Sequence, residues 1–284
     1  MYNARDNIKL CAYARMRELI QENGLKCALN FSNHCGYESV ELLYLESECE
    51  GALKNAAFIN KTKDACDAKI GCISVYVDVA SYTPPYEVRS SAIDAVKACI
   101  DLAVKVGCPL VHHTLVTRLT GGRSDYDKLL PVALEAASDI ASYALERGIT
   151  ILYEPQGMLF NGLDGYLTFF SAMRSMYENV GVCLDVGNTL WVDEDCYALA
   201  EKCAKHVRHV HVKDYVLDSE DGQYRTLGGR TIKEVALGDG VIDLNKVMNI
   251  LDSVKYRGYI SVEDNSGNSF EYTAENAARI LGKR

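Results

Sequence analysis

The segment HVRHVHVKDYV, residues 206–216, decides the fold. Read as an extended strand, it places His209, His211 and Lys213 on one face and Val210 and Val212 on the other, because side chains alternate along a strand. On a sheet with one side in water, the polar face would be the wet one. In a closed barrel the assignment reverses: the valines meet covering helices and the polar face points inward, toward a site. The choice therefore turns on whether the rest of the chain can close a barrel around this strand.

Short apolar runs alternate with longer stretches of helical periodicity about eight times along the 284 residues. The strand candidates are IKLCAY (8–13), SVELLYL (39–45), IGCISVYVDV (70–79), PLVHHTLV (109–116), TILYEP (150–155), GVCLDVG (181–187), VRHVHVKD (207–214) and GYISVED (258–264). Most are nearly continuous apolar runs, as expected of a parallel sheet covered by helices. Between them lie amphipathic segments such as 90–107 and 127–148, each closed by a glycine. The first connection reads as a loop followed by one helix, KCALNFSNHCG. The pattern predicts a single (β/α)8 TIM barrel over residues 1–284. A doubly wound sheet is the alternative, but the one glycine cluster, LGGR at 227–230, neither follows a strand nor opens a helix, so the dinucleotide fingerprint is missing. The turn-rich stretch 218–244 predicts a loop excursion above the barrel mouth at about 215–240, in the form of a hairpin.

With 30 basic and 39 acidic residues the chain carries a net charge of −9, which disfavours nucleic acid and anionic membrane surfaces as partners. No apolar run reaches the length of a membrane span, and the opening MYNARDNIKL lacks a secretory signal's apolar stretch. The eleven cysteines form no C-x-x-C pair, and several interrupt apolar runs. Free buried thiols in a reducing compartment fit this usage, and a cytoplasmic location is expected.

In a barrel of this kind, polar residues at the C-terminal ends of strands line the active-site mouth. Four late strands end on metal-binding side chains: Glu154, Asp185, His211 and Glu263. Residues two before them, Leu152, Cys183, His209 and Ser261, share the inner face, while Tyr153, Leu184, Val210 and Val262 face the helices. A single acidic residue at a strand end serves as a helix cap or ion-pair partner as readily as a ligand. Four consecutive strand ends carrying Glu, Asp, His and Glu point to a divalent ion that neutralises three mutually repelling carboxylates. This oxygen-rich donor set favours Mn²⁺, with Mg²⁺, Co²⁺ and Zn²⁺ as the other candidates. Such an ion would stabilise charge on an enediolate oxygen, and Glu154 and Glu263 would exchange protons with the two faces of the activated carbon.

The stretches CGYESVELL, LYEPQG, VCLDVGN, HVHVKD and LGDGVIDLNKVMNILDSVKYRGYISVED resemble the sugar phosphate isomerase/epimerase family, or xylose isomerase-like barrels. That family includes ketose 3-epimerases, hydroxypyruvate isomerase and inosose dehydratase. The resemblance spans nearly the whole chain. It implies metal ligation by Glu154, Asp185, His211 and Glu263, acid/base roles for the two glutamates, and dimers or tetramers. Asn188 stands where many ketose epimerases place a substrate-binding histidine; an amide can hydrogen-bond a hydroxyl but cannot carry the same charge. The family's DNA-repair endonuclease branch uses additional histidines, and this chain has six in all on an acidic background.

The expected activity is metal-dependent epimerisation or isomerisation of a keto-sugar or sugar phosphate through an enediolate. Dehydration of a keto-sugar or keto-inositol by a metal-dependent lyase is the alternative, and a non-catalytic sugar-binding barrel is a third reading. Of His112 and His113, alternation lets only one face the mouth. Lys213 is a candidate for holding a substrate oxyanion, or else an ion-pair partner of a carboxylate such as Asp214. His209 is expected to support the ligand shell from one layer below. Glu41 either reaches the mouth or has a structural role. Trp191 could form an apolar wall over a sugar face. Arg225 and Arg230, flanking the TLGG turn, could clamp a phosphate.

Overall fold

The computed structural model describes residues 4–119, 122–222 and 224–283. Its strands, in chain order, are β1 (Lys9–Ala12), β2 (Ser39–Leu45), β3 (Ile70–Tyr76), β4 (Leu110–His113), β5 (Thr150–Tyr153), β6 (Val180–Asp185), β7 (Val207–Val212), β8 (Asp214–Leu217), β9 (Tyr224–Arg225), β10 (Thr231–Val235) and β11 (Tyr259–Val262). Eight of them close a parallel barrel in the order β1-β11-β7-β6-β5-β4-β3-β2. The chain is thus a TIM barrel, and 206–216 lies in its wall.

Alternation along each strand sorts the core into an inside and an outside. Tyr153, Leu184, Val210 and Val262 join the large apolar layer between sheet and helices, whereas Cys72, Leu152 and Cys183 form a separate small cluster within the barrel. Above that apolar floor comes a polar layer of Glu41, Ser74, His209 and Ser261, all fully buried. The ladder between β2 and β3 slips at Val40/Glu41, and that between β6 and β7 slips at Val182/Cys183.

The helix Ser90–Val106 buries Ile93, Val96, Ile100 and Ala103, one face at helical spacing, and stops at Gly107, which takes the left-handed conformation (φ 73°). The first connection differs from expectation. It contains two helices, Met16–Asn23 and Leu25–His34, parted at Gly24 (φ 80°). The MRELIQEN segment that reads as loop is amphipathic enough to form a helix, burying Met16, and Gly24 supplies the turn that a residue with a Cβ would resist.

The excursion is more than a hairpin. Strands β8, β10 and β9 make a three-stranded antiparallel sheet beside the mouth, with Glu234 opposite Tyr215 in register. The Asp214 carboxylate, buried at the start of β8, accepts N–H bonds from Tyr215 (2.9 Å), Gly238 (3.0 Å), Gly240 (3.0 Å) and Ile242 (3.1 Å). It thereby ties the returning LGDGVI segment to the strand from which the excursion leaves. All eleven cysteines are free thiols, and nine of them are buried. Among the described residues, no helix is long and apolar enough to cross a membrane.

Candidate metal centre

Each strand-end residue reaches the mouth from the end of its own strand. Glu154, Asp185, His211 and Glu263 each offer one ligand atom, and these four atoms lie within 4.8 Å of one another. Asp185 is oriented by the turn that follows β6: its Oδ1 accepts the N–H groups of Gly187 and Asn188, both at 2.8 Å. Gly187 has to be a glycine, since a Cβ there would come within 2.6 Å of Lys213 Cγ. Glu154 Oε1 accepts a bond from Asn188 Nδ2 (3.1 Å) and lies 3.3 Å from His211 Nδ1; its Oε2 lies 3.3 Å from His112 Nε2. Burial alone would raise the Glu154 carboxyl, but His112 and His211 hold it well below the usual carboxylate range.

The donor set suits a divalent cation. Glu263 Oε2 lies 3.4 Å from His211 Nδ1 yet is buried with no hydrogen bond of its own, and three carboxylates converge with one imidazole. That combination is hard and oxygen-rich. Lys213 reaches across from the end of β7 to Asp185 Oδ2 and Glu263 Oε1, each at 2.9 Å, and donates to Asn188 Oδ1 at 3.2 Å. Burial would lower its ammonium, but Asp185 and Glu263 together hold it well above the ordinary value. Its partners are therefore two candidate ligands rather than Asp214, whose carboxylate is turned onto backbone N–H groups instead.

The polar layer beneath supports His211. Its Nε2 lies 3.1 Å from both oxygens of Glu41, while its Nδ1 faces Glu154 and Glu263. With the proton on Nε2 held by Glu41, the Nδ1 lone pair points to the carboxylate cluster. Glu41 also meets His209 Nε2 (2.8 Å) and accepts from Ser74 and Ser261. Burial would raise its carboxyl, but His211 and His209 hold it well below the usual range. Glu41 thus stays a layer below the mouth.

The histidine pair divides by parity. His112 turns inward, with Nδ1 3.2 Å from Ser74 Oγ and its ring edge-on to His211 at 5.7 Å. His113, also proposed from sequence as a substrate contact, turns outward. Its Nδ1 lies 2.9 Å from Thr114 O, its ring packs edge-on against Tyr153, and burial lowers its pKa to about 4. The structure thus corrects that expectation, because the side chain sits in the helix-facing layer and away from the mouth.

Above the cluster opens a cavity of about 330 Å³ whose wall includes Asn188, Trp191, Lys213, Glu234 and Glu263, within the range of small-molecule sites. Trp191 packs against Tyr224 at a tilt, with ring centroids 5.2 Å apart, and meets Tyr215 edge-on at 6.3 Å, a shared aromatic wall. Arg225 and Arg230 stand apart from this wall: Arg225 is exposed and bonds Gly229 O (3.0 Å), and Arg230 pairs with Asp218 (2.5 Å). Neither expected phosphate clamp lines the cavity. Sequence reasoning missed Tyr13, which stacks on His211 at 4.8 Å, and also Gln156 and Glu234. Tyr13 closes the first strand candidate, so the strand-end rule could have found it; Glu234 comes from the excursion, where that rule has no hold.

A profile of the family described as "Xylose isomerase-like TIM barrel" matches residues 4–283, and the chain belongs to that family. Among curated proteins it is similar to inosose dehydratase from Erwinia tasmaniensis, 28% identical over 160 residues, which is 51% of this chain and 52% of that protein. It is also similar to inosose dehydratase from Clostridium beijerinckii, 31% identical over 102 residues, covering 33% of this chain and 34% of the relative. The chain spans about half or less of the length of these relatives. In fold it resembles a xylose isomerase-like TIM barrel protein from Mycobacterium smegmatis in complex with magnesium, with TM-score 0.74, 16% identity and coverage of 99% and 98% of the two chains. It likewise resembles 3-keto-D-glucoside 4-epimerase from E. coli, with TM-score 0.69, 13% identity and coverage of 97% and 99%.

Proposed function

We propose that this protein is a divalent-metal-dependent epimerase or isomerase that moves a proton next to the carbonyl of a keto-sugar or related polyol. The observation that carries the reading is the convergence of Glu154, Asp185, His211 and Glu263, one ligand atom each, within 4.8 Å. These four residues would hold the ion, with Mn²⁺ first among the candidates. When bound, the ion supplies Lewis-acid stabilisation of the charge that develops on the substrate's carbonyl oxygen.

The protein's own groups do the rest. Glu154 and Glu263 approach from β5 and β11, so one carboxylate can take the α-proton while the other returns a proton to the opposite face. Lys213, fixed between Asp185 and Glu263, presents an ammonium to a substrate oxygen. Trp191 and Tyr224 form an aromatic wall along one side of the cavity.

A second reading is elimination of water from the same enediolate, as a lyase. It is favoured by the two inosose dehydratase relatives and by His112, whose Nε2 at 3.3 Å from Glu154 Oε2 is in position to protonate a departing hydroxyl. Proton NMR in D₂O separates the outcomes for a panel of keto-sugars and keto-inositols with added Mn²⁺. Epimerisation washes deuterium into the α-position of a recovered sugar, and dehydration yields a product short of one water. The absence of both exchange and metal uptake would refute both readings. Glu263→Gln is expected to abolish turnover while retaining part of the metal binding, and full activity in that variant would remove Glu263 from the proton-transfer pair.

A further inference from the structure

The proton-transfer reading leaves one acidic residue at the mouth without a task. Glu234 lies on β10, opposite Tyr215 in the antiparallel sheet, and faces the same cavity as Glu263 and Lys213. Its Oε1 accepts the N–H of Asn265 at 2.6 Å, so the carboxyl is anchored to the loop two residues beyond Glu263. Among the described residues no hydrogen-bond donor reaches its Oε2. Across the same cavity, Gln156 Oε1 is buried with no hydrogen-bond partner. The buried Gln156 oxygen calls for a donor on the ligand, because a buried polar group left unpaired is costly, and the part-exposed Glu234 carboxylate offers a second acceptor to the same space.

Cationic side chains are scarce at this cavity, and the one present is shared with two carboxylates. Lys213 is the one lysine or arginine among the described lining residues, and its ammonium is held by Asp185 and Glu263. A phosphate entering here would meet the Glu234 and Glu263 carboxyls with no arginine fork to receive it. A hydroxyl-rich, uncharged ring meets neither obstacle: its hydroxyls donate to Glu234 and Gln156 while its C–H face lies on the wall of Trp191 and Tyr224.

Resting on the proton-transfer reading, we propose that Glu234 is the specificity residue of this barrel: it binds a substrate hydroxyl on the excursion side of the cavity, and so selects uncharged polyols over their phosphate esters. Burial pushes its carboxyl up to about 7, so near neutral pH it can serve as donor as well as acceptor.

The test uses the whole chain with Mn²⁺ and two measurements. Calorimetric titration with myo-inositol reads binding without turnover, and exchange or turnover is followed with 2-keto-myo-inositol, D-fructose and D-fructose 6-phosphate. For Glu234→Ala, KM for the neutral ketose and Kd for myo-inositol should rise about tenfold while kcat stays within about threefold, the pattern of a lost binding contact. Glu234→Gln keeps an oxygen for Asn265 N–H and an amide for the ligand, and should restore both constants to within about threefold of wild type. Glu234→Lys should shift preference toward fructose 6-phosphate by about tenfold or more. The proposal is overturned if wild type handles the phosphorylated ketose as well as the neutral one, if it binds no neutral polyol, or if Glu234→Ala leaves KM and Kd within twofold. Absence of both metal uptake and exchange would instead refute the proton-transfer reading, and the myo-inositol titration would then still judge Glu234.

Discussion

Glu41 shows how a single buried residue sets the chemistry of its neighbours. It is fully buried, and a carboxylate so placed survives only because two imidazoles and two hydroxyls satisfy it. Its consequence reaches the mouth through His211: with the Nε2 proton held from below, Nδ1 is presented to the cluster in one orientation. Glu41→Gln preserves shape and removes the charge. The expected outcome is a loss of metal affinity of roughly 10–100-fold, the usual cost of removing a carboxylate behind a ligating histidine. Competition titration with a chromophoric chelator measures it, and an unchanged Kd would show that Glu41 serves the core alone.

At the level of elements, the excursion is a small sheet organised by one carboxylate. Asp214 gathers four N–H groups, and the backbone at Gly240 runs so close that an added Cβ would overlap Asp214 Oδ1 and the Tyr215 carbonyl. Neither atom can yield without breaking those bonds. Gly240→Ala is therefore expected to cost about 1–3 kcal/mol, as overpacking does, and to raise KM by displacing Glu234 and Tyr224. Thermal unfolding and steady-state kinetics would check both, and an unchanged melting temperature would show that the turn has slack. The excursion also marks where sequence reading stops. The eight barrel strands and the inner-face sets Leu152, Cys183, His209 and Ser261 were legible because period-two alternation is local and the mouth lies at one end of every strand. Glu234 was not, because its position depends on pairing with Tyr215, a contact across the excursion that no local period reports. The choice between His112 and His113 was illegible for a different reason: both end the same strand, and only its true register, with His112 beside Ser74 of β3, tells them apart.

For the molecule as a whole, the barrel encloses three buried carboxylates, Glu41, Glu154 and Asp185, with the part-buried Glu263 beside them, in a chain of net charge −9. Lys213 offsets Asp185 and Glu263 in part, and the imidazoles of His112, His209 and His211 lie against Glu41 and Glu154. Burying charge is unfavourable unless the partners compensate fully, and a divalent ion adds the compensation that one ammonium shared by two carboxylates cannot. An ion that binds the folded state and leaves the unfolded chain alone stabilises the fold by mass action. At a concentration of 100 times Kd the gain is about 2.7 kcal/mol, which for a chain of this length corresponds to a rise of roughly 4–5 °C in melting temperature. Mn²⁺ should produce that rise in chelator-treated protein, and EDTA should reverse it. Asp185→Asn removes one oxygen donor from the cluster without touching the helix-facing core, so it should fold but lose most of the ion-dependent shift. Equal stabilisation of wild type and Asp185→Asn would place the ion elsewhere on the acidic surface, and no shift with Mn²⁺, Mg²⁺, Co²⁺ or Zn²⁺ would mean that Lys213 alone balances the cluster.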